Sequence, residues 1–226
     1  MIPGGGIPQS VGLAARVNSE TKPVWLCVQS FESGNWLMPS PRELRTQVYT
    51  GIVHGATGIM YFAMDSYVTR AGGVVGMGPR ELLNTSYYDA GGEGRGHGPW
   101  GVYHASPALL EMSAAVWEAV IETNTELLEL APVIFAPTST KQYAVSFKGE
   151  NVTDTPIRTM LKSTLDGYDI LIAVNIDRAI CSAAITMEGL GDYVHVMFEQ
   201  RDVAVVNGTF VDRFDEMDTH VYRLYP

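Results

Sequence analysis

Two carboxylates stand close behind apolar runs: Glu32 beyond residues 24–28, and Asp65 beyond residues 58–63. Carboxyl groups at neighbouring strand ends can divide acid and base work, one donating a proton while the other attacks or activates water. Gln29 ends the first run and can hydrogen-bond but cannot ionise. Flat rings accompany these groups: Trp36 beyond Glu32, Tyr61 within the second run and Trp100 further on. Trp36 and Trp100 fall in loops, where an exposed indole face can stack against a ligand. Tyr61 is mid-run, so core packing competes with ligand contact there. Trp117 lies in a long helical pattern and reads as packing.

Other chemistries find little support. The five histidines make no metal-ligand spacing, and His97 and His104 share only a Gly-rich segment. No Gly-x-Ser-x-Gly elbow accompanies a serine nucleophile. The stretch Gly94-Arg95-Gly96-His97-Gly98 follows no strand, opens no helix and lacks Gly-Lys-Ser/Thr, so it is not a phosphate loop. Cys27 and Cys181 cannot form a disulfide framework or a structural zinc site. Cys27 sits in an apolar run and is expected in the core. No cofactor is expected.

The chain has 226 residues, 46% hydrophobic and 18% charged, which suits one sizeable domain or a domain with a small companion. Its 25 acidic and 15 basic residues give a net charge of -10, which disfavours a nucleic-acid partner. No apolar run reaches the ~20 residues of a membrane span, so no membrane partner is expected. The N-terminal Met1-Ile2-Pro3-Gly4 lacks the basic and apolar regions of a signal peptide.

The elements that position the candidate residues divide at about residue 135. Residues 10–20 form a weak amphipathic helix with Val11, Ala14, Ala15 and Val17 on one side. The unbroken run at 24–28 predicts a strand buried on both faces, as in parallel sheets. A helix follows, with Ser40 as N-cap, Pro41 at the first position, Glu43 completing a capping box and Gly55 as C-cap. Leu44, Val48 and Ile52 form its apolar stripe. A second buried strand covers 58–63, completing a βαβ unit. Residues 66–105 show neither period and read as one long loop. A helix then runs from Ser106-Pro107 to about Leu130, with Leu109, Met112, Val116, Val120, Leu127 and Leu128 inward and Pro132 past its end. From residue 140 the period becomes two, and Asn207-Gly208 marks a tight hairpin. The predicted class is α/β followed by all-β: residues 1–135 as a partial barrel and 136–226 as an antiparallel β-sandwich.

Two parallel strands do not make a stable sheet, and a strand–helix alternation ending in a β-domain matches the last two units of a (β/α)8 barrel. Particular residues resemble bacterial-type glycoside-hydrolase-like TIM barrels. Lys22-Pro23-Val24-Trp25 through Gln29-Ser30-Phe31 resembles their seventh strand. Pro41-x-Glu43-Leu44-Arg45 and His54-Gly55-Ala56-x-Gly58-Ile59-x-Tyr61-Phe62 resemble the seventh helix and eighth strand. Leu127-Leu128-x-Leu130-Ala131-Pro132-Val133 resembles the end of the eighth helix. Glu199-x-Arg201, Asn207-Gly208-x-Phe210-x-Asp212-x-Phe214 and His220-Val221-Tyr222-Arg223 resemble the β-sandwich that follows such barrels.

The resemblance implies hydrolysis of glycosidic bonds in a poly- or oligosaccharide by two carboxyl groups, ~5–5.5 Å apart for retention or ~6.5–9.5 Å for inversion. It implies Glu32 and Asp65 as catalytic candidates and Gln29, Trp36, Tyr61 and Trp100 as substrate contacts. In many such barrels the seventh strand ends in the nucleophilic Glu, and here Gln29 stands at the matching position. The acid/base often lies on the fourth strand, outside these residues. The alternative is a carbohydrate-binding or degenerate barrel portion without its own acid/base. An uncovered sheet edge would then favour oligomers or completion by another barrel portion.

Overall fold

A computed structural model of the chain describes residues 6–17, 21–33, 36–64, 66–69, 72–79, 107–152, 156–164 and 166–225. Asp65, Trp100 and most of the 66–105 segment lie outside them. The chain groups into two compact units, one of residues 1–24, 46–58 and 126–226, the other of residues 25–45 and 59–125.

The first half of the chain contains α1 (Ile7–Val17), β1 (Trp25–Gln29), β2 (Phe31–Glu32), α2 (Pro41–Val53), β3 (Gly58–Phe62), β4 (Ser66–Thr69), β5 (Gly72–Gly76) and α3 (Pro107–Ile134). In α1, Val11 and Ala15 are buried, while Ala14 and Val17 face solvent, so the apolar side is narrower than its composition suggests. The start of α2 is the expected capping box: the Glu43 N–H donates to Ser40 Oγ at 3.2 Å, and the Ser40 N–H to Glu43 Oε2 at 2.8 Å. Its end is a Schellman turn, with Gly55 at φ 100° and the Ala56 and Gly55 N–H groups donating to the Gly51 and Ile52 carbonyls. Leu44, Val48 and Ile52 are buried as expected.

Strands β1 and β3 pair as a two-stranded sheet. The Gly58 N–H bonds the Val24 carbonyl at one end and the Ser30 N–H bonds the Phe62 carbonyl at the other, so both strands advance together and are parallel. Burial on both faces is not observed: Trp25 is 65% and Met60 52% exposed, and Cys27 is exposed rather than core. Apolar runs fill both faces of a strand only where layers cover both sides. The expected loop from residue 66 opens with a hairpin instead: β4 pairs antiparallel with β5, and β5 with β2. Ladder bonds come from the backbone, and Gly72-Gly73 offers no side-chain alternation that would reveal a strand.

Helix α3 continues past Leu130 and through Pro132 to Ile134. Proline removes a single amide donor, and the Phe135 N–H to Ala131 carbonyl bond carries the turn beyond it. Its buried face is Ser113, Val116, Val120, Thr123, Leu130 and Val133, whereas Leu128 is 78% exposed. Two small polar residues belong to the inner face, and that hides its direction from a count of apolar residues. No helix among the described residues is long and apolar enough to cross a membrane.

The second half forms β6 (Tyr143–Gly149), β7 (Ile157–Ser163), β8 (Asp169–Asn175), β9 (Cys181–Met187), β10 (Tyr193–Met197), β11 (Arg201–Val206), β12 (Thr209–Phe214) and β13 (Thr219–Leu224). They make one antiparallel sheet in the order β6-β9-β12-β11-β10-β13-β8-β7. The expected sandwich is therefore a single sheet folded over its own core. Its outer strands nearly meet, with Tyr143 Oη 2.9 Å from Thr159 Oγ1. Leu171, Ala173, Ile185, Val194, Val196 and Phe210 belong to the enclosed cluster. At the β11–β12 turn Asn207 and Gly208 have φ of 52° and 71°, the two positive values a type I′ hairpin requires.

Candidate functional site

Chain direction places the carboxyl end of β1 at Gln29, and the segment that follows is pinned by its own polar groups. The Gln29 Nε2 amide donates to the Phe31 carbonyl at 3.0 Å and to the Leu37 carbonyl at 2.7 Å. Both protons of the amide are thereby engaged, and Gln29 buckles the loop. Glu32 Oε2 accepts the Met38 N–H at 3.3 Å from the same loop. Ser33 and Trp36 exchange two backbone bonds of 2.9 Å. These contacts hold Gln29, Glu32 and Trp36 in one short segment.

An aromatic tier supports it. The Phe31 ring stacks on Trp36 with centroids 6.2 Å apart and planes 23° from parallel, and meets Phe62 edge-on at 5.4 Å. Trp36 remains 53% exposed, so an indole backed by Phe31 presents open surface to solvent. The Ser30 N–H reaches the Phe62 carbonyl at 2.7 Å, joining the β1 and β3 ends, and the Phe62–Ala63 peptide is cis.

Tyr61 does not join this group. Its hydroxyl donates to Asn124 Oδ1 of α3 at 2.8 Å, and burial pushes the phenol up to about 12. Strand alternation turns Tyr61 to the opposite face from Met60 and Phe62. Asp65 and Trp100 lie outside the described residues. Among the described residues the arrangement contains one carboxylate, one committed amide and one open aromatic surface. It can hold a flat, hydroxylated ligand by stacking and hydrogen bonding.

A denser polar cluster, not anticipated as a site, lies in the eight-stranded sheet. Arg201 Nε donates to Glu199 Oε2 at 2.7 Å, and its two terminal nitrogens grip Asp212 at 3.1 and 2.8 Å. The Tyr222 hydroxyl donates to Asp212 Oδ2 at 2.8 Å. His220 pairs through Nδ1 with Glu199 and reaches the Arg213 carbonyl through Nε2 at 3.1 Å. Burial alone would raise Glu199, but His220 and Arg201 hold it below the ordinary carboxylate value. Burial would likewise raise Asp212, and Arg201, Tyr222 and His220 hold it down. Both carboxylates are therefore ionised and clamped at neutral pH and cannot donate a proton as a general acid. The two-residue spacings Glu199/Arg201 and His220/Tyr222 were the available signal. Among the described residues no group of three or more metal-ligating side chains is placed to hold a metal.

No family model and no curated protein matches the chain. Several solved structures resemble it weakly, and they are glycoside hydrolases. A family 30 endoxylanase from Clostridium papyrosolvens is 12% identical, with a TM-score of 0.43, over 99% of this chain and 47% of that one. A family 30 subfamily 8 xylanase from Clostridium acetobutylicum is 9% identical, with a TM-score of 0.39, over 92% and 44%. An alpha-amylase from Geobacillus thermoleovorans, complexed with acarbose, is 11% identical, with a TM-score of 0.38, over 83% and 34%. The chain spans less than half the length of each of these proteins. At TM-scores below 0.5 these likenesses carry no weight in assigning residues or chemistry.

Proposed function

We propose that this chain is part of a glycoside-hydrolase-like protein, with β1, α2 and β3 belonging to the last two units of a (β/α)8 barrel. The carboxyl end of β1 binds a poly- or oligosaccharide. Trp36 is the stacking platform, Glu32 the carboxyl group beside it, and Gln29 the buckle that fixes their loop. The observation that carries this reading is the Trp36 indole, backed by Phe31 yet half exposed, on the loop that Glu32 also anchors. Sugar rings present flat C–H faces that suit such a surface. Hydrolysis would require a second carboxyl within the retaining or inverting distance of Glu32. Asp65 is its candidate from position in the sequence.

The test is titration with xylo-, gluco- and galacto-oligosaccharides together with product analysis. Trp36→Ala is expected to weaken binding at least about tenfold. Glu32→Gln is expected to abolish product while preserving binding, since the amide oxygen can still accept the Met38 N–H. No binding of any of these sugars would overturn the reading. Binding without product, unchanged by Glu32→Gln, would establish the second reading, a non-catalytic carbohydrate-binding portion. Gln29 favours that second reading, because its amide is already committed to two backbone carbonyls and cannot serve as a nucleophile.

A further inference from the structure

Three tyrosines gather at one end of the eight-stranded sheet, within the unit made of residues 1–24, 46–58 and 126–226. Tyr193 opens β10, Tyr225 follows β13 and Tyr168 precedes β8, and β13 lies between the other two strands. Leu224 of β13 pairs with Val194 on one side and with Asp169 on the other, so each tyrosine adjoins a member of that one row. Val194, Leu224 and Leu171 belong to the enclosed cluster, and strand alternation turns Tyr193, Tyr225 and Tyr168 to the outer face. Tyr193 is 51% and Tyr225 38% exposed there, and the Tyr168 and Tyr225 ring centroids are 6.3 Å apart.

The rings are braced from behind. The Arg223 guanidinium lies over the Tyr168 ring, 4.9 Å from its centroid, and a hydrogen bond to Tyr225 is the first cause that raises Arg223 above its ordinary value. An arginine stacked on one ring and bonded to the next fixes both. In the adjoining row His195 stands opposite Arg223 on one side and Asp202 on the other, and His195 Nδ1 lies 2.8 Å from Asp202 Oδ1 at the surface. That row holds one guanidinium and one carboxylate, so its charges balance.

We propose that this strip binds an extended, uncharged oligosaccharide, with Tyr193 and Tyr225 stacking on its rings and the His195–Asp202 pair bonding its hydroxyls. Balanced charge asks for a neutral ligand, and exposed phenol rings ask for one with flat C–H faces. The polar row beside them offers both donors and acceptors. Sugar hydroxyls answer both, whereas a proline-rich segment, whose rings also suit tyrosine, brings carbonyl acceptors but no N–H. The place is separate from the Trp36 loop; the choice of ligand rests on the carbohydrate reading above.

Xylohexaose and cellohexaose are the probes, followed through backbone amide shifts of the full chain, with a hexaproline peptide as comparison. Saturable shifts are expected at residues 166–168, 191–195 and 223–225, and they are expected to persist in Trp36→Ala. Tyr193→Ala is expected to weaken this binding about tenfold, and Tyr193→Phe, which keeps the ring, to retain most of it. The half-exposed position of Tyr193 lets both variants fold, and the same spectra report that they do. Shifts here without any at residues 36–38 would sustain this site and overturn the Trp36 reading. Shifts at 36–38 alone would overturn this site and leave that reading standing. The proposal also falls if neither sugar gives saturable shifts at about 10 mM, well above a millimolar constant. Loss of the shifts in Trp36→Ala, unchanged binding in Tyr193→Ala, or equal binding of hexaproline would overturn it as well.

Discussion

His220 carries two acceptors on one ring: the Glu199 carboxylate at Nδ1 and the Arg213 carbonyl at Nε2. A neutral imidazole can donate from only one nitrogen, so the pair of acceptors selects the doubly protonated ring. Burial opposes that charge, but Glu199, with Asp218 and Asp212, outweighs burial and holds His220 above its ordinary 6.5. A raised histidine stabilises the fold fully below 6.5, and this contribution is lost as pH rises through the folded value. Glu199 and Asp212 are lowered, so their contributions are present above their ordinary 4.5 and 3.8 and are lost as pH falls through the folded values. Urea unfolding across pH is therefore expected to show greatest stability between about 4.5 and 6.5 for this cluster. His220→Gln is expected to remove the alkaline decline and to cost about 2 kcal/mol at pH 6. A decline of unchanged slope in that variant would refute the assignment. The residues of this cluster were visible in the sequence as polar positions in or beside strands. Their convergence was not, because β11, β12 and β13 become neighbours only through the order of the sheet.

Local elements were the most legible part of this chain. The capping box of α2 and the turn that ends it depend on residues three to five positions apart, so short-range sequence holds the whole of the interaction. Ser40→Ala is expected to cost about 1 kcal/mol in thermal or urea unfolding, since it orphans the Glu43 amide. Gly55→Ala is expected to cost about 1–2 kcal/mol, because φ is 100° there and an added Cβ would stand 3.0 Å from the Ala15 Cβ. Neither substitution is expected to change m, the slope of the unfolding curve. Legibility failed where burial depends on what else is packed nearby. The runs at 24–28 and 58–63 read as doubly buried strands, yet Trp25 and Met60 are exposed. In α3 the buried face turns on Ser113 and Thr123, which an apolar stripe cannot reveal.

At the scale of the molecule, the eight-stranded sheet supplies an enclosed core. β8 is buried along its entire length between β7 and β13, and its polar ends are matched. Asp169 accepts from Lys141 at 2.6 Å and from Ser163 at 2.7 Å, and Asn175 Nδ2 donates to the Ala179 and Asp215 carbonyls. Phe210 is fully buried and its ring lies 4.9 Å from that of Tyr222. Phe210→Ala is expected to cost about 3–5 kcal/mol in urea unfolding, with Val211→Ala, at an exposed position of the same strand, changing little. Similar losses from the two variants would mean that the sheet does not enclose a packed core.

The sequence by itself determined the helix caps, the Asn207-Gly208 hairpin, the change from period 3.6 to period two and the segment that carries Gln29, Glu32 and Trp36. Each rests on interactions between residues near in the chain or on periodicity along it. Only the tertiary structure decided that the β-strands close into one folded sheet and that Glu199, Arg201, Asp212 and His220 form a clamp. It alone turned Tyr61 toward Asn124 and set Tyr168 beside Tyr225. Those outcomes join segments tens of residues apart, and backbone pairing across such distances leaves no local pattern to read.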